Sequence, residues 1–404
     1  MIRRSSHPRL MHIRFTVSSP GTRNFSVKCL TSTPISTPVC LRLGSISKNK
    51  TANVCIYFSK EDQVKAFRIG LYGCGCRTRQ VLERALKSGM AKVTLCHDID
   101  CGKAGELAEK YHAEPCTLNK LLSGEEVDMY LISLFPAAHP DALLAAAETG
   151  KPVYIEKPVA VFMPDVVRLI PLIGKSYVHV GLSYRYLPVF RELARLVKDG
   201  KIGELAGINF NWLCNHFTRN QGAGANPNWR YVPETGGELT QHYCHCFEWF
   251  RTLGGDFRSL TAMSLKMQDN QSCLEDLWDL IIKQKSGCQI SFHSSERNPR
   301  YSVHGYLEGT KGSLEWEWNN PSKIIFYKGA HERREGEPLP VPGTVPDALE
   351  EFISRIRRGE PPEVTLEDGL WSVLPPIYAR ESAATGNVSI FPERLTDLLK
   401  GAKE

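Results

Sequence analysis

Acidic residues are absent from the first sixty positions, although the 404-residue chain carries 44 of them. Ten Lys and Arg fall in that stretch, a local charge of +10, and the 40 basic residues that remain are outnumbered by the acids. The formal net charge of +6 is therefore the property of one end. The bulk of the chain is slightly acidic, which excludes a nucleic-acid partner inferred from overall basicity. No apolar run approaches the ~18 residues of a spanning helix, which excludes a helical membrane protein. A C-x-x-C pair is also lacking among the 13 cysteines. The closest, Cys74/Cys76 and Cys244/Cys246, are separated by one residue, whereas paired zinc thiolates usually have two to four between them. On a helix Cys244 and Cys246 point in different directions, so no metal is expected at His242, Cys244, His245 and Cys246 either. An odd, scattered set of cysteines in a long chain predicts a reducing, cytoplasmic setting and not a disulfide framework.

Residues 1–60 are rich in Ser, Thr and Arg, and Pro8, Pro20, Pro34 and Pro38 interrupt any long helix. That composition matches organelle transit peptides, which leaves organellar import open. A secretory signal does not fit, because polar residues follow Arg3-Arg4. The two readings of residues 1–65 are a presequence, or an extension or start-site artefact without function. Either way, the composition predicts disorder.

From Phe67 the pattern changes. Strands are predicted at Phe67–Tyr72, Val93–Cys96, Val127–Leu134 and Val153–Ile155, with helical periodicity between them at Val81, Leu82, Ala85, Leu86 and at Ala104, Leu107, Ala108, Tyr111. Alternation of this kind predicts βαβ units and a doubly wound parallel sheet over residues 66–185. Residues 186–395 read differently. A helix carries Phe190, Leu193, Leu196 and Val197, and another carries Leu239, Tyr243, Cys246, Phe250 and Leu253. Successive strands at Leu277–Ile282, Cys288–His293 and Ser313–Trp318 predict an α+β domain with a largely antiparallel, open-faced sheet. Helices close the chain at Pro346–Arg358 and Glu367–Thr385.

Gly73-Cys-Gly75-Cys76-Arg77-Thr78 follows a predicted strand and opens a predicted helix. The first glycine allows a tight turn, and the second lets a pyrophosphate approach the backbone N–H groups at the helix start. Thr78 stands at the third position of the pattern, where glycine is usual, and predicts looser helix–strand packing. Asp98 lies twenty residues beyond Thr78, at the end of the next strand, where a carboxylate can accept from ribose hydroxyls. This pair predicts NAD as cofactor; Lys103 and Arg77 leave NADP as an alternative.

Glu156-Lys157-Pro158, after Gly150-Lys-Pro-Val153, resembles the glucose–fructose oxidoreductase / inositol dehydrogenase / rhizopine-catabolism (Gfo/Idh/MocA) family. Further matches follow in order: Asp98-Ile99-Asp100, Phe135-Pro136 with His139, Tyr184-Arg185-Tyr186, Gly200-Lys-Ile-Gly203-Glu204, Asn228-Trp229-Arg230, and Gly236-Gly237 with His245 eight residues on. The resemblance covers about residues 67–391. It implies an NAD(P)-dependent oxidoreductase acting on a secondary alcohol of a sugar, cyclitol or related polyol, with self-association through the C-terminal sheet. It also implies that Phe135, His139, Glu156 and Lys157 join the nucleotide turn in holding the cofactor, and that Lys157 and His245 are catalytic. Lysine there can stabilise a developing alkoxide, and histidine suits proton abstraction. Arg185, Trp229, Arg230, Gln241 and His242 match positions near the substrate. Many relatives carry an acid four residues before the histidine, where this chain has Gln241. An amide can orient imidazole but cannot stabilise imidazolium. Two rivals to a plain dehydrogenase remain: a redox glycoside hydrolase that returns its hydride, and a non-catalytic NAD-binding sensor.

Overall fold

The computed structural model of the chain describes residues 65–215, 232–266, 274–319, 321–329 and 335–401, and before them only the backbone of four strands. Those strands form two hairpins, Leu10–Arg14 with Ser26–Leu30 and Val39–Ser47 with Lys50–Ile56. Neither hairpin joins a larger sheet. Alternating Val39, Leu41 and Leu43 suit an extended backbone.

Six parallel strands stand in the spatial order Val178–Val180, Val153–Ile155, Met129–Ile132, Phe67–Tyr72, Ala91–His97 and Glu114–Pro115. Met129 to Ile132 are all buried, the mark of a strand covered on both faces. Connections run one way from Phe67–Tyr72 and the other way from Met129–Ile132. The crevice beyond the ends of those two strands is the topological switch point. Helix Cys76–Lys87 buries Val81, Leu82 and Ala85 against the sheet. Asp100 caps helix Cys101–Tyr111 by accepting from the Gly102 and Lys103 N–H groups, an arrangement worth about 1 kcal/mol.

Residues beyond 186 complete this half. Helix Ala348–Arg358 places Leu349, Phe352 and Ile353 in one core with Ile69, Leu71 and Leu82. Each such side chain contributes roughly 1.5–3 kcal/mol on burial. The sequence boundary at 186 assigns this helix to the second domain, whereas its apolar stripe packs on the first.

The second sheet has nine strands, in the order Glu337–Leu339, Lys323–Lys328, Gly312–Glu317, Ser302–Gly309, Leu205–Leu213, Gln289–Ser295, Leu277–Gln284, Phe257–Leu265 and Ser389–Ile390. Only Leu205–Leu213 and Gln289–Ser295 pair in parallel; the other pairs are antiparallel. Trp278, Leu280 and Ile282 are buried under helices Cys244–Gly254 and Leu366–Thr385, while Met263, Ile281 and Tyr306 on the other face are exposed.

The single helix expected to carry Leu239 through Leu253 is two, Gly237–Gln241 and Cys244–Gly254. The interruption lets His242 pack edge-on against Trp212, with ring centres 4.4 Å apart, while the Tyr243 hydroxyl turns to Glu296. Gln241 and His245 consequently do not share one helical face. Among the described residues no helix is long and apolar enough to cross a membrane.

Candidate active site at the strand ends

The nucleotide turn is held from three sides. Gly73 adopts φ 101°, and a Cβ there would lie 2.1 Å from the Ser133 carbonyl oxygen, so only glycine fits. Asp98 accepts from the Cys74 N–H (2.8 Å) and the Asp100 N–H (2.9 Å), joining the two successive strand ends. Thr78 is buried, and its hydroxyl donates to the Gly73 carbonyl at 2.8 Å. That bond tightens the turn, contrary to the looser packing expected of a non-glycine residue. Beside Gly75 the space is open: an added Cβ would meet nothing within 4 Å. Helix Cys76–Lys87 begins there with exposed Cys76, no side-chain cap and no acid in its first turn. Unshielded N–H groups facing open space fit a pyrophosphate.

Arg77 and Lys103, the cations that leave NADP open, both face carboxylates. Arg77 Nε stands 3.0 Å from Oε1 of buried Glu156, and Lys103 stands 3.4 Å from Asp100.

Lys157 and His139 meet in the next loop. Buried His139 donates from Nδ1 to the Pro158 carbonyl (2.7 Å) and accepts at Nε2 from the Leu134 N–H (3.2 Å). Burial pushes its pKa down to about 4, against the raising effect of the Pro158 bond. Both ring nitrogens are thus engaged by backbone, and His139 ties the loop after Met129–Ile132 to the loop bearing Lys157. Phe135, half-exposed, sits on the same loop as Leu134. The Lys157 Nζ donates to the Gln241 carbonyl oxygen at 2.6 Å, which joins the two halves of the protein.

His245 is buried and stacks on Tyr184, with ring centres 5.1 Å apart and planes 8° from parallel. Its Nδ1 accepts from the Ser183 N–H at 3.1 Å. Burial first, then the charges of Lys157, His242 and Arg77, hold its pKa well below the ordinary histidine value. The Gln241 side chain points elsewhere and donates to the Thr235 carbonyl at 3.2 Å.

Lys157, Gln241 and His245 are therefore neighbours, with His242 one step away at 6.0 Å between histidine ring centres. Arg185 is not among them. Its guanidinium pairs with Glu248 and Asp368 and donates to the Glu363 carbonyl (2.6 Å), tying the Ser183–Tyr186 turn to two helices. Trp229 and Arg230 lie outside the described residues. Ser183 was not legible as a site residue because it acts through its main chain, which any residue type supplies.

A parallel sheet of this order, with a glycine turn braced by a carboxylate at its switch point, defines a dinucleotide-binding domain. Residues 67–184 match the model of the oxidoreductase family NAD-binding Rossmann fold, and residues 190–315 match the GFO/IDH/MocA C-terminal domain. An uncharacterised oxidoreductase of Synechocystis sp. is 25% identical over 314 residues, 68% of this chain and 81% of that protein. Inositol 2-dehydrogenase of Salmonella paratyphi B is 26% identical over 259 residues, 61% of this chain and 73% of the enzyme. Among solved structures, levoglucosan dehydrogenase in complex with NADH has a similar fold: TM-score 0.70 and 18% identity, covering 81% of this chain and 99% of the other. The chain belongs to the Gfo/Idh/MocA oxidoreductase family, and residues 67–184 are its NAD-binding Rossmann domain.

Proposed function

We propose that the protein oxidises a secondary alcohol of a sugar, cyclitol or related polyol, or runs the reverse reduction, with NAD in preference to NADP. The observation that carries this reading is the bond from Lys157, two residues past strand Val153–Ile155, to the Gln241 carbonyl, with His245 beside them. The inositol and levoglucosan dehydrogenases among its relatives supply the substrate class. Bound nicotinamide supplies the hydride acceptor.

The chain's own residues do the rest. Gly73, Gly75, Cys76 and Arg77 line the pyrophosphate turn, and Asp98 faces the ribose and repels a 2′-phosphate. Glu156 fixes Arg77, and His139 fixes the loop that aims Lys157. Lys157 and His245 bind the reacting oxygen, where N–H donors stabilise alkoxide charge. His242, Trp229 and Arg230 belong to the substrate side.

The open face of the nine-stranded sheet, with Met263 and Ile281 exposed, is the surface for self-association. All nine cysteines of the described residues are free thiols, in keeping with a reducing, cytoplasmic setting. The test is a screen of free sugars, inositols, sugar acids and aryl glycosides for NAD reduction, with aglycone release followed alongside. NADH formation with a free polyol supports the proposal; aglycone release without NADH, or NAD binding without turnover on any of them, overturns it.

A further inference from the structure

Arg380, on helix Leu366–Thr385, is bonded along one side of its guanidinium and not along the other. Its Nη1 donates to the Thr240 hydroxyl (3.1 Å) and to the Pro376 carbonyl (3.4 Å), and its Nη2 donates to the Gly236 carbonyl. A guanidinium carries five N–H donors in a planar fork. Nε–H and one Nη2–H therefore bond no atom of the described residues. These two nitrogens form one edge of the fork, the kind that grips a carboxylate through two parallel bonds. Glu275 acts on Arg380 as a charge without forming an ion pair, and burial outweighs it, pushing the pKa down to about 10. Arg380 thus stays cationic at neutral pH, part-buried and without a counter-ion among the described residues. Such a charge costs free energy until an anion pairs with it.

Arg380 lines a cavity of about 180 Å³ whose other walls include Val161, Phe162, Met163, Pro233, Leu274 and Ile377. Phe162 is partly exposed, so the cavity is reached from solvent. An apolar cavity of roughly 150 Å³ holds a molecule the size of benzene, which sets the scale of an occupant. Lys157, His245 and Asp98 are not among its walls. We propose that this cavity binds a small aliphatic monocarboxylate, with the carboxylate on the free edge of Arg380 and the hydrocarbon body against Val161, Met163 and Ile377. A phosphate would pair the guanidinium but leave the apolar walls wet, and a neutral hydrocarbon would leave the cation unpaired. The occupant touches both elements that carry the Lys157 bond. Residues 161–163 follow Lys157 on one loop. Gly236 and Thr240, held by Arg380, belong to the start and body of helix Gly237–Gln241, whose last carbonyl receives the Lys157 Nζ.

The test is calorimetric titration of the full chain with isovalerate, with isoamyl alcohol, which has the same hydrocarbon body and no charge, and with inorganic phosphate. Isovalerate is expected to bind one per chain, at least about tenfold more tightly than either control, the scale of hydrogen bonds to a charged group. Arg380→Met is expected to weaken isovalerate by about tenfold or more. Thermal unfolding shows whether that variant stays folded without its bonds to Gly236 and Thr240. Ile377→Phe keeps every Arg380 bond and fills the cavity, so it should weaken isovalerate in a protein whose guanidinium is intact. No binding of isovalerate at tens of millimolar, or equal binding of the alcohol or of phosphate, overturns the proposal. So does unchanged affinity in Ile377→Phe or in folded Arg380→Met. The titration needs neither NAD nor turnover, so its outcome is independent of the reaction proposed above.

Discussion

The Lys157 Nζ donates to the main-chain carbonyl of Gln241 at 2.6 Å, so the lysine is placed by the backbone of residue 241 and not by its side chain. The amide of Gln241 is engaged instead by the Thr235 carbonyl. Replacing this residue by alanine should leave Lys157 in position, keep NAD affinity and cost about 1–3 kcal/mol of stability through the lost buried bond. Lys157→Met should act on turnover instead: kcat falls about 100-fold or more through loss of charge stabilisation, and the Gln241 carbonyl loses its bond from Nζ. Calorimetric NAD titration, thermal unfolding and turnover of both variants separate the two behaviours. A Gln241→Ala protein with normal stability would show that the Thr235 bond carries no weight.

Much of this arrangement was legible in the sequence, and the rest failed for local reasons. Phe67–Tyr72 and Val153–Ile155 form at the predicted bounds because the apolar residues Ile69 and Leu71, and Val153 to Ile155, suit buried parallel strands. Leu205–Leu213 was passed over although Ile208, Phe210 and Trp212 alternate with polar neighbours; Gly207 interrupts the run and masks the period. Ser302–Gly309 hides for a related reason. Gly305 looks like a breaker, yet a Cβ there would lie 1.9 Å from the Asn209 carbonyl oxygen, so the strand requires it. The break at His242–Tyr243 left no mark, because Leu239, Tyr243, Cys246 and Phe250 fit an unbroken heptad-like spacing and all remain buried. With that break went the expected one-turn relation between Gln241 and His245, and with it the orienting contact that an amide at 241 could make to the imidazole.

Gly73 and Gly75 separate folding from cofactor binding. Gly73→Ala places a methyl group against the Ser133 carbonyl at positive φ, and both stability and NAD affinity should drop. Gly75→Ala meets no protein atom, so the melting temperature should hold within the shift of about 0.5 kcal/mol typical of a neutral site, while the methyl occupies pyrophosphate space and NAD affinity falls. Equal loss of stability in the two variants would contradict this division.

Asp98 braces the nucleotide turn, and the proposed function makes it a cofactor contact as well. Asp98→Ser removes the carboxylate that accepts from Cys74 and Asp100. It should lower NAD affinity and narrow the preference for NAD over NADP by relieving repulsion of the 2′-phosphate. Paired titrations of the two cofactors decide this. Tighter binding of NADP by the unaltered protein would refute the assigned role of Asp98.

Buried neutral histidines set the acid limit of stability. The pKa of His139 is pushed down to about 4 and that of His179 to about 3, in both cases mainly by burial, and His245 is also held low. The unfolded chain takes up these protons below the ordinary histidine value while the folded chain does not. Stability is therefore fully present above about pH 6.5 and is lost as pH falls toward the folded values, His139 alone accounting for on the order of 3 kcal/mol. Urea unfolding should show a falling midpoint from about pH 7 to about pH 5, with a shallower fall in His139→Gln. An identical slope in that variant would place the proton uptake elsewhere.

The central claim, net hydride transfer from a polyol carbon to NAD beside Lys157, is tested most directly by following isotope. A polyol that reduces NAD in the screen is prepared with deuterium at the oxidised carbon, and the released NADH is examined by mass spectrometry. One deuterium per NADH is predicted, in step with formation of the carbonyl product and lost together with turnover in Lys157→Met. Product formed without labelled NADH in solution, or aglycone released from a deuterated glycoside with no NADH at all, would contradict it.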